Sequence, residues 1–222
     1  MGFTTMLIKT IATGVFASFT LFSAIGTSAA KEWGTLNDQA PGSQRHAKVY
    51  GKTLPPIGWV RFCERHKREC AGREALPSRV RLTDDAWMQL VRVNTHVNRK
   101  VEPVTDQELY NVPEHWTYPG AQGDCEDYVL LKRRYLMSMG WPRESLLVTV
   151  VLDEKREGHA VLTVVTDQGD FVLDNQNPEI LPWRATQYTF IKRQSQNHPQ
   201  LWVSLLPGKK KRFRTVSGRL GD

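Results

Sequence analysis

The apolar positions of the chain predict two helices before residue 141. Thr83 is a suitable N-cap, and the residues after it carry one apolar face at helical spacing until Pro103 stops the helix. That face holds Trp87, Leu90, Val91, Asn94, Val97 and Val101. A second helix is predicted to begin at Asp124 or Cys125 and to end near Gly140, a glycine suited to a C-terminal cap.

Strand patterns dominate the chain after the second helix. The predicted strands are residues 146–152, 159–166, 171–174 and 183–193, with a turn at 167–170. Three segments show no regular spacing of apolar residues. They are predicted to be an extended polar arm at residues 31–53, a turn at 55–59 and a loop at 112–122. A helix-rich half followed by an antiparallel sheet predicts an α+β fold.

The loop between the second and third strands decides which side chains become neighbours. A tight two-residue turn would place Asp174 opposite Thr163, far from His159. A four-residue loop over residues 166–169 would instead place Asp174 opposite Val161. In that register Asp174 is the same-face diagonal neighbour of His159, about 7–8 Å away by backbone. Only the second register makes a His–Asp pair easy to form.

The first thirty residues predict a secretory signal. Residues 1–30 contain one charge, Lys9, then an apolar stretch at 11–25 and small residues before position 31. An apolar core of about 15 residues suits a signal peptide, whereas a membrane span needs about 20. An uncleaved N-terminal anchor is the alternative. Export to the periplasm is therefore expected, with no stable membrane insertion after the signal is cleaved.

Composition indicates one globular domain after the signal. The chain has 222 residues, of which 40% are hydrophobic and 24% charged. The predicted domain covers residues 31–207, and residues 208–222 form a basic tail. A net charge of +7 alone does not distinguish anionic surfaces from nucleic acid. Export argues against nucleic acid as a partner.

The three cysteines fit an oxidising compartment. Cys63 and Cys70 lie close together, and we predict a disulfide that closes a short loop. A zinc site is the alternative, because His66 lies between them, although a fourth ligand is not evident. The disulfide leaves Cys125 as the unpaired thiol.

Cys125, His159 and Asp174 form the candidate catalytic set. Cys125 lies at the start of a predicted helix, where the helix dipole favours a thiolate. A cysteine nucleophile also needs a base and a group that orients the base. His159 and Asp174 supply both on adjacent predicted strands. Each residue alone is common in structural roles, but their joint order predicts nucleophilic catalysis.

Around these residues the sequence resembles the bacterial transglutaminase-like cysteine peptidases, the family that includes the LapG-type periplasmic proteases. The resemblance rests on Gly123-Asp124-Cys125-Glu126-Asp127-Tyr128, Leu131-Lys132-Arg133-Arg134-Tyr135-Leu136, Gly158-His159-Ala160-Val161-Leu162, Val172-Leu173-Asp174-Asn175, Arg193-Gln194-Ser195 and Trp202. It implies a papain-like core with Cys125 as nucleophile, His159 as base and Asp174 as orienting acid. LapG-type members cut a large surface adhesin and depend on calcium.

Acidic residues beside Cys125 oppose activation of its thiol. Asp124, Glu126 and Asp127 crowd the helix start, and like charges nearby raise a thiol's pKa. One explanation is helix capping, with Asp124 at the N-cap and Asp127 closing a capping-box-like contact. The other is a calcium ion held by Asp124 and Glu126, which the resemblance supports. The oxyanion hole would use the backbone N–H of Cys125 and one upstream donor, for which Gln122 and Trp116 are both candidates.

The sequence thus predicts an exported cysteine endopeptidase acting on a protein substrate, with a surface adhesin as one candidate. Two other functions use the same residues differently. A transglutaminase-like acyltransferase would share the triad but transfer the acyl group to an amine. A non-catalytic binding module would keep the fold alone, which the presence of all three residues disfavours.

Overall fold

A computed structural model describes residues 44–72 and 74–208. The chain divides into two units, Met1–Pro41 and Gly42–Asp222, and every described residue belongs to the second. The predicted secretory signal and the basic residues from 209 onward lie outside the described residues. No helix in the described part is long and apolar enough to cross a membrane.

Five α-helices form among the described residues, all of them between residues 57 and 138. They are α1 (Ile57–Arg65), α2 (Lys67–Cys70), α3 (Asp84–Lys100), α4 (Asp106–Tyr110) and α5 (Cys125–Ser138). The side chain of Thr83 caps α3 by accepting a hydrogen bond from the Ala86 N–H at 3.2 Å. Both long helices agree with the sequence prediction.

Nine strands form two sheets in the described chain. They are β1 (Gly51–Thr53), β2 (Glu102–Pro103), β3 (Gln122–Gly123), β4 (Leu146–Leu152), β5 (Gly158–Thr166), β6 (Gly169–Leu173), β7 (Leu181–Pro182), β8 (Thr189–Gln194) and β9 (Trp202–Ser204). Seven make an antiparallel sheet in the order β1-β9-β8-β4-β5-β6-β7. β2 and β3 pair in parallel just before α5. The architecture is α+β, as predicted.

The β5–β6 hairpin has the register that favours a His–Asp pair. Leu162 pairs with Leu173, so Asp174 follows directly beside Val161. The loop is tighter than the predicted four residues, because Thr166 already pairs with Gly169 and leaves two residues between them. Gly169 has φ +136°, a conformation that L side chains rarely adopt.

α5 packs against β5 and α3, and the main core lies between these elements. Residues at alternate positions of β5 point into this core: Ala160, Leu162 and Val164. Val161 belongs to a second, smaller cluster that includes Val172 and Phe190. The sheet is therefore covered by apolar side chains on both faces where β5 crosses it. This packing fixes the start of α5 relative to β5.

Several predicted boundaries differ from the structure. The predicted turn at 55–59 is wrong in its second half, because α1 begins at Ile57 and buries Trp59 and Phe62. Within the predicted extended arm, β1 joins the sheet by pairing with β9. The fourth predicted strand begins later, at Thr189. α4 was not predicted, because its five residues, Asp106–Tyr110, are too few to show a helical pattern of apolar positions.

Cys63 and Cys70 are joined by a disulfide, as predicted. The S–S distance is 2.02 Å and the Cα atoms are 5.5 Å apart. The His66 ring, the proposed zinc ligand, packs against Phe62 and Tyr118 instead. Zinc is therefore the wrong explanation for these cysteines. Cys125 is a free cysteine.

Candidate active site

Cys125 is the first residue of α5, directly after the short β2–β3 pairing. Its side chain is half-buried. Gly123, two residues earlier, has no room for a side chain, because a Cβ there would lie 2.8 Å from Asp127 Oδ2. This close contact fixes the backbone just before α5 and so the position of Cys125.

The Cys125 thiol has acidic neighbours. It donates a hydrogen bond to Glu126 Oε2 at 3.3 Å. Burial, together with the charges of Glu126 and Asp124, raises the pKa of the Cys125 thiol well above its usual value. A hydrogen bond from the backbone of Ala160, the residue after His159, acts in the opposite direction. The sulfur therefore lies near the β5 backbone at Ala160.

His159 and Asp174 form a buried pair. His159 Nε2 lies 2.8 Å from Asp174 Oδ1, and both side chains are almost fully buried. Tyr188 donates its hydroxyl to the other carboxylate oxygen at 2.5 Å, and the Gln176 N–H donates to Oδ1 at 3.0 Å. Burial acts to raise the Asp174 pKa, but these hydrogen bonds and the His159 ring lower it below its usual value.

The orientation of the His159 ring fits a base. When Nε2 carries the proton and donates it to Asp174, Nδ1 keeps its lone pair. Nδ1 lies 3.4 Å from the Gln176 side-chain amide. Among the hydrogen bonds of the described residues, none joins Cys125 to His159, since the thiol bonds to Glu126. Catalytic contacts often tighten only when substrate binds.

Three carboxylates cluster at the start of α5. Ligand atoms of Asp106, Asp124 and Glu126 all lie within 4.8 Å of one another. Asp106 Oδ1 and Asp124 Oδ1 are buried, with no hydrogen-bond partner in the described structure. Burial and the neighbouring Asp124 raise the pKa of Glu126 to about 10. Such a group of close, unpaired oxygens fits a hard cation.

The capping explanation is wrong for Asp124. Asp124 occupies the N-cap position of α5 but makes no side-chain capping hydrogen bond. Its Oδ2 accepts the N–H of Asp106 at 3.3 Å. The buried Asp127 carboxylate accepts the N–H of Thr117 at 2.8 Å and holds the preceding loop.

The loop before α5 covers the carboxylates. Asp106 accepts the N–H of His115, and Arg65 donates to the Trp116 carbonyl at 2.7 Å. The two candidate oxyanion donors have other partners for their side chains: Trp116 Nε1 donates to Glu114 at 2.7 Å, and Gln122 Nε2 donates to Glu102 at 3.0 Å.

Comparison with known families decides the identity of the chain. The family described as bacterial transglutaminase-like cysteine proteinase, BTLCP, matches residues 49–210. The chain belongs to this family. It is a cysteine peptidase, as the sequence predicted, and its substrates are proteins. A comparison with curated protein sequences gives no match.

The chain resembles solved structures of a protein from Legionella pneumophila. Legionella pneumophila LapG is 25% identical, with a TM-score of 0.46, over 53% of this chain and 68% of that one. Its calcium-bound form is 24% identical, with a TM-score of 0.47, over 56% and 72%. Its EGTA-treated form is 24% identical, with a TM-score of 0.45, over 53% and 67%.

Two residues of this proteinase's candidate site escaped the sequence analysis. Asp106 lies 18 residues before Asp124 and meets it only because β2 pairs with β3. Tyr188 reaches Asp174 from a segment predicted as part of a strand. Thr105 and Glu108 form a capping box, a sequence pattern from which the start of α4 at Asp106 could have been predicted.

Proposed function

We propose that Cys125, His159 and Asp174 form the catalytic triad of this proteinase, which hydrolyses peptide bonds in an exported protein substrate. The buried His159–Asp174 pair beside the start of α5 carries the proposal. A fully buried histidine is expensive unless it is paired, and this one is paired through one nitrogen while the other remains a base.

The chemistry follows from these positions. The Cys125 thiolate attacks the scissile carbonyl carbon, and the carbonyl π electrons move to oxygen. His159, protonated by the thiol, gives its proton to the leaving amine as the C–N bond breaks, leaving a thioester. Water then loses a proton to His159 and attacks the thioester carbonyl, and the C–S bond breaks to release the acyl group as a carboxylic acid. The proton held by His159 returns to the Cys125 sulfur. Asp174 keeps the ring oriented and stabilises its charged form.

The start of α5 also supplies a donor for the developing oxyanion. The first backbone N–H groups of a helix have no partner within the helix. The Cys125 N–H is among these groups and belongs to the nucleophile itself. We therefore assign it to the oxyanion hole, where preorganised donors act on charge that develops in the transition state.

The acidic cluster is proposed to hold calcium. Asp106, Asp124 and Glu126 would be the protein ligands, and the unpaired buried oxygens of Asp106 and Asp124 support the proposal. Calcium takes 6–8 oxygen ligands, so carbonyl groups and water would complete the shell. When bound, the ion supplies positive charge that offsets the carboxylates beside the thiol. Glu126 then has a better partner than the Cys125 thiol.

The proposed location of the enzyme rests on the predicted secretory signal, and the proposed substrate rests on that location and on the family resemblance. A proteinase exported to the periplasm meets envelope and surface proteins, and the resemblance to LapG-type proteases supports a surface adhesin. Neither a nucleic-acid partner nor a stable membrane anchor is part of the proposal.

Incubation of surface proteins with purified enzyme tests the proposed function. We expect the wild-type protein, with calcium present, to create new N-termini detectable by mass spectrometry, and Cys125→Ala to create none. Ser138→Ala, at the exposed far end of α5, is the matched control and should act as wild type. Cross-linked products in place of fragments would indicate acyl transfer to amines. Cleavage by Cys125→Ala would refute the triad.

A further inference from the structure

Gln176 lies beside His159, and the proposed mechanism leaves its side chain unused. Its backbone N–H donates to Asp174 Oδ1 at 3.0 Å. Its side chain is exposed, yet Nε2 lies 3.4 Å from Nδ1 of the almost fully buried His159 ring. Among the hydrogen bonds of the described residues, Gln176 supplies the one to this nitrogen. An exposed carboxamide therefore contacts the base at the nitrogen that Asp174 leaves open.

The segment that carries Gln176 is held on both sides by α3. Asn98 donates its side-chain amide to the Asp174 carbonyl at 2.8 Å. Asn94, one helical turn earlier, donates to the Pro178 carbonyl at 3.1 Å and is almost fully buried. These two contacts lie two residues before and two residues after Gln176. Because buried polar side chains keep their hydrogen bonds, α3 fixes the backbone from which the Gln176 side chain extends.

The leaving amine of a substrate must reach the same ring nitrogen. His159 Nε2 is bonded to Asp174 at 2.8 Å, so the proton that the leaving nitrogen receives has to come from Nδ1. A general acid acts within about 3.2 Å of the atom that it protonates. Gln176 Nε2, at 3.4 Å from Nδ1, lies where that leaving nitrogen has to be. The substrate must therefore displace the carboxamide from Nδ1.

Displacement leaves the carboxamide beside the leaving group. The hydrogen bond to Asp174 holds the backbone of Gln176, so the side chain can leave Nδ1 only by rotation about its own bonds. A primary carboxamide offers both a donor and an acceptor. The peptide chain that continues beyond the scissile bond offers C=O and N–H groups that complement them. A leaving group without a main chain offers no such partner.

We propose that Gln176 is a substrate-binding residue on the leaving-group side of the scissile bond, where its carboxamide binds the main chain that follows that bond. This inference rests on the proposed triad and names how the substrate is held there. It makes the enzyme selective for bonds inside a polypeptide. Gln176 transfers no proton and forms no covalent bond in this role.

The test compares two substrates with the same residues before the scissile bond, in calcium-containing buffer. One is a peptide that spans a site cut by the wild-type enzyme in surface proteins, and the other is the 4-nitrophenyl ester of its acyl half. Gln176→Met removes the carboxamide but keeps the backbone N–H that Asp174 accepts. We expect kcat/KM to fall on the order of tenfold for the peptide, the scale of one hydrogen bond, and to change less than about twofold for the ester. Gln168→Met, in the turn at the other end of the β5–β6 hairpin, should match wild type on both.

Alkylation of Cys125 by iodoacetamide shows whether the substitution acts on the base instead. Gln176→Met should react at least as fast as wild type, because Nδ1 of His159 loses its partner. Slow alkylation, an equal loss on peptide and ester, or no loss on the peptide would each overturn the assignment. A lower thermal unfolding midpoint would overturn it too, since the side chain would then have a structural role.

His159→Ala, measured alongside, separates this inference from the proposed function. If the wild-type enzyme cuts no peptide, or if His159→Ala is alkylated as fast as wild type, the proposed triad fails. Slow alkylation of His159→Ala together with normal peptide hydrolysis by Gln176→Met rejects the role of Gln176 alone.

Discussion

At the residue scale, the orientation of His159 depends on the hydrogen bonds that fix the Asp174 carboxylate. Its carboxylate accepts from Tyr188 and Gln176 while it bonds to His159. Ionised acceptors make the stronger class of hydrogen bond, and burial strengthens them further. The carboxylate therefore stays ionised and fixed, which is what an orienting group requires.

Replacing Tyr188 by Phe should weaken catalysis without changing the fold. A hydrogen bond to a charged group contributes about 1.5–3 kcal/mol. Because this hydrogen bond helps to orient Asp174, its loss should lower kcat/KM about tenfold, with little change in KM. Steady-state hydrolysis of a protein substrate measures the effect, and Tyr50→Phe, at an exposed position, is the control. Unchanged kcat would show that the Tyr188 contact does not support the reaction.

The sequence predicted contacts between residues where a short stretch of the chain determines them. The β5–β6 register follows from one loop, so the His159–Asp174 pair could be predicted from two adjacent strands. Asp106 could not, because its place beside Asp124 depends on a two-residue parallel pairing that has no hydrophobic pattern. The Cys125–Glu126 hydrogen bond depends on side-chain conformation and was also beyond the sequence.

At the element scale, short segments are held by contacts between distant parts of the chain. α1 and α2 are joined by the disulfide, and Gly58 in α1 lies against Trp116 so closely that a Cβ would be 2.3 Å from the indole. Arg65 holds the Trp116 carbonyl. These contacts support the loop that precedes Cys125.

Removing the disulfide should cost stability more than activity. Closing a loop of this length stabilises a protein by roughly 2 kcal/mol through the unfolded chain. Cys63→Ser with Cys70→Ser should lower the free energy of unfolding by that order, measured with urea. Hydrolysis by the folded variant should continue, since neither sulfur touches the triad. An inactive but fully folded variant would contradict this separation.

Calcium should stabilise the start of α5. A ligand that binds only the folded state stabilises it, by about 2.7 kcal/mol at a concentration one hundred times its Kd. We expect the unfolding midpoint and the activity of wild type to fall in a calcium chelator. Asp106→Asn should need more calcium to recover both, while Glu102→Gln, an exposed carboxylate outside the cluster, should not.

A chelator that changes neither quantity in wild type would refute the calcium site. Protons would then take the place of the ion on Asp124 and Glu126, in agreement with the raised pKa of these two carboxyl groups. Restoration of activity by magnesium as readily as by calcium would also count against the assignment, because magnesium demands near-ideal octahedral geometry.

Helices and strands with long hydrophobic patterns were predicted correctly, and short ones were not. α3, α5, β4 and β5 have long periodic patterns and were found. α1 was mistaken for a turn because Pro55 and Pro56 precede it, although proline is tolerated at helix starts. β1 has three residues, too few to carry a period, and forms only because β9 is available to pair with it.

At the scale of the whole molecule, a buried charge cluster ties the first described residues to the sheet. Asp170 on β6 accepts from His46 Nδ1 at 2.7 Å, from the Ala47 N–H at 3.0 Å and from Arg193 on β8 at 2.7 Å. Asp170 is almost fully buried. Three distant segments therefore meet at one carboxylate, a contact that no local pattern predicts.

Arg193→Ala should destabilise the protein strongly. Removing one partner of a buried ion pair leaves the other uncompensated and typically costs about 3–5 kcal/mol. Urea denaturation should show a loss of that order, whereas Lys192→Ala, one residue earlier, should lose far less because Lys192 bonds to the Leu54 carbonyl at an exposed site. Equal losses in the two variants would mean that the Asp170 cluster does not stabilise the fold.

The most direct test of the account is covalent trapping of the nucleophile. A peptidyl vinyl sulfone, added to wild-type protein with calcium, should form a single adduct that intact-mass and peptide analysis place on Cys125. His159→Ala should react at least about a hundredfold more slowly, because general-base activation contributes roughly 10²–10⁴-fold. An adduct at another residue, or equal rates in the two proteins, would contradict the claim that His159 activates Cys125.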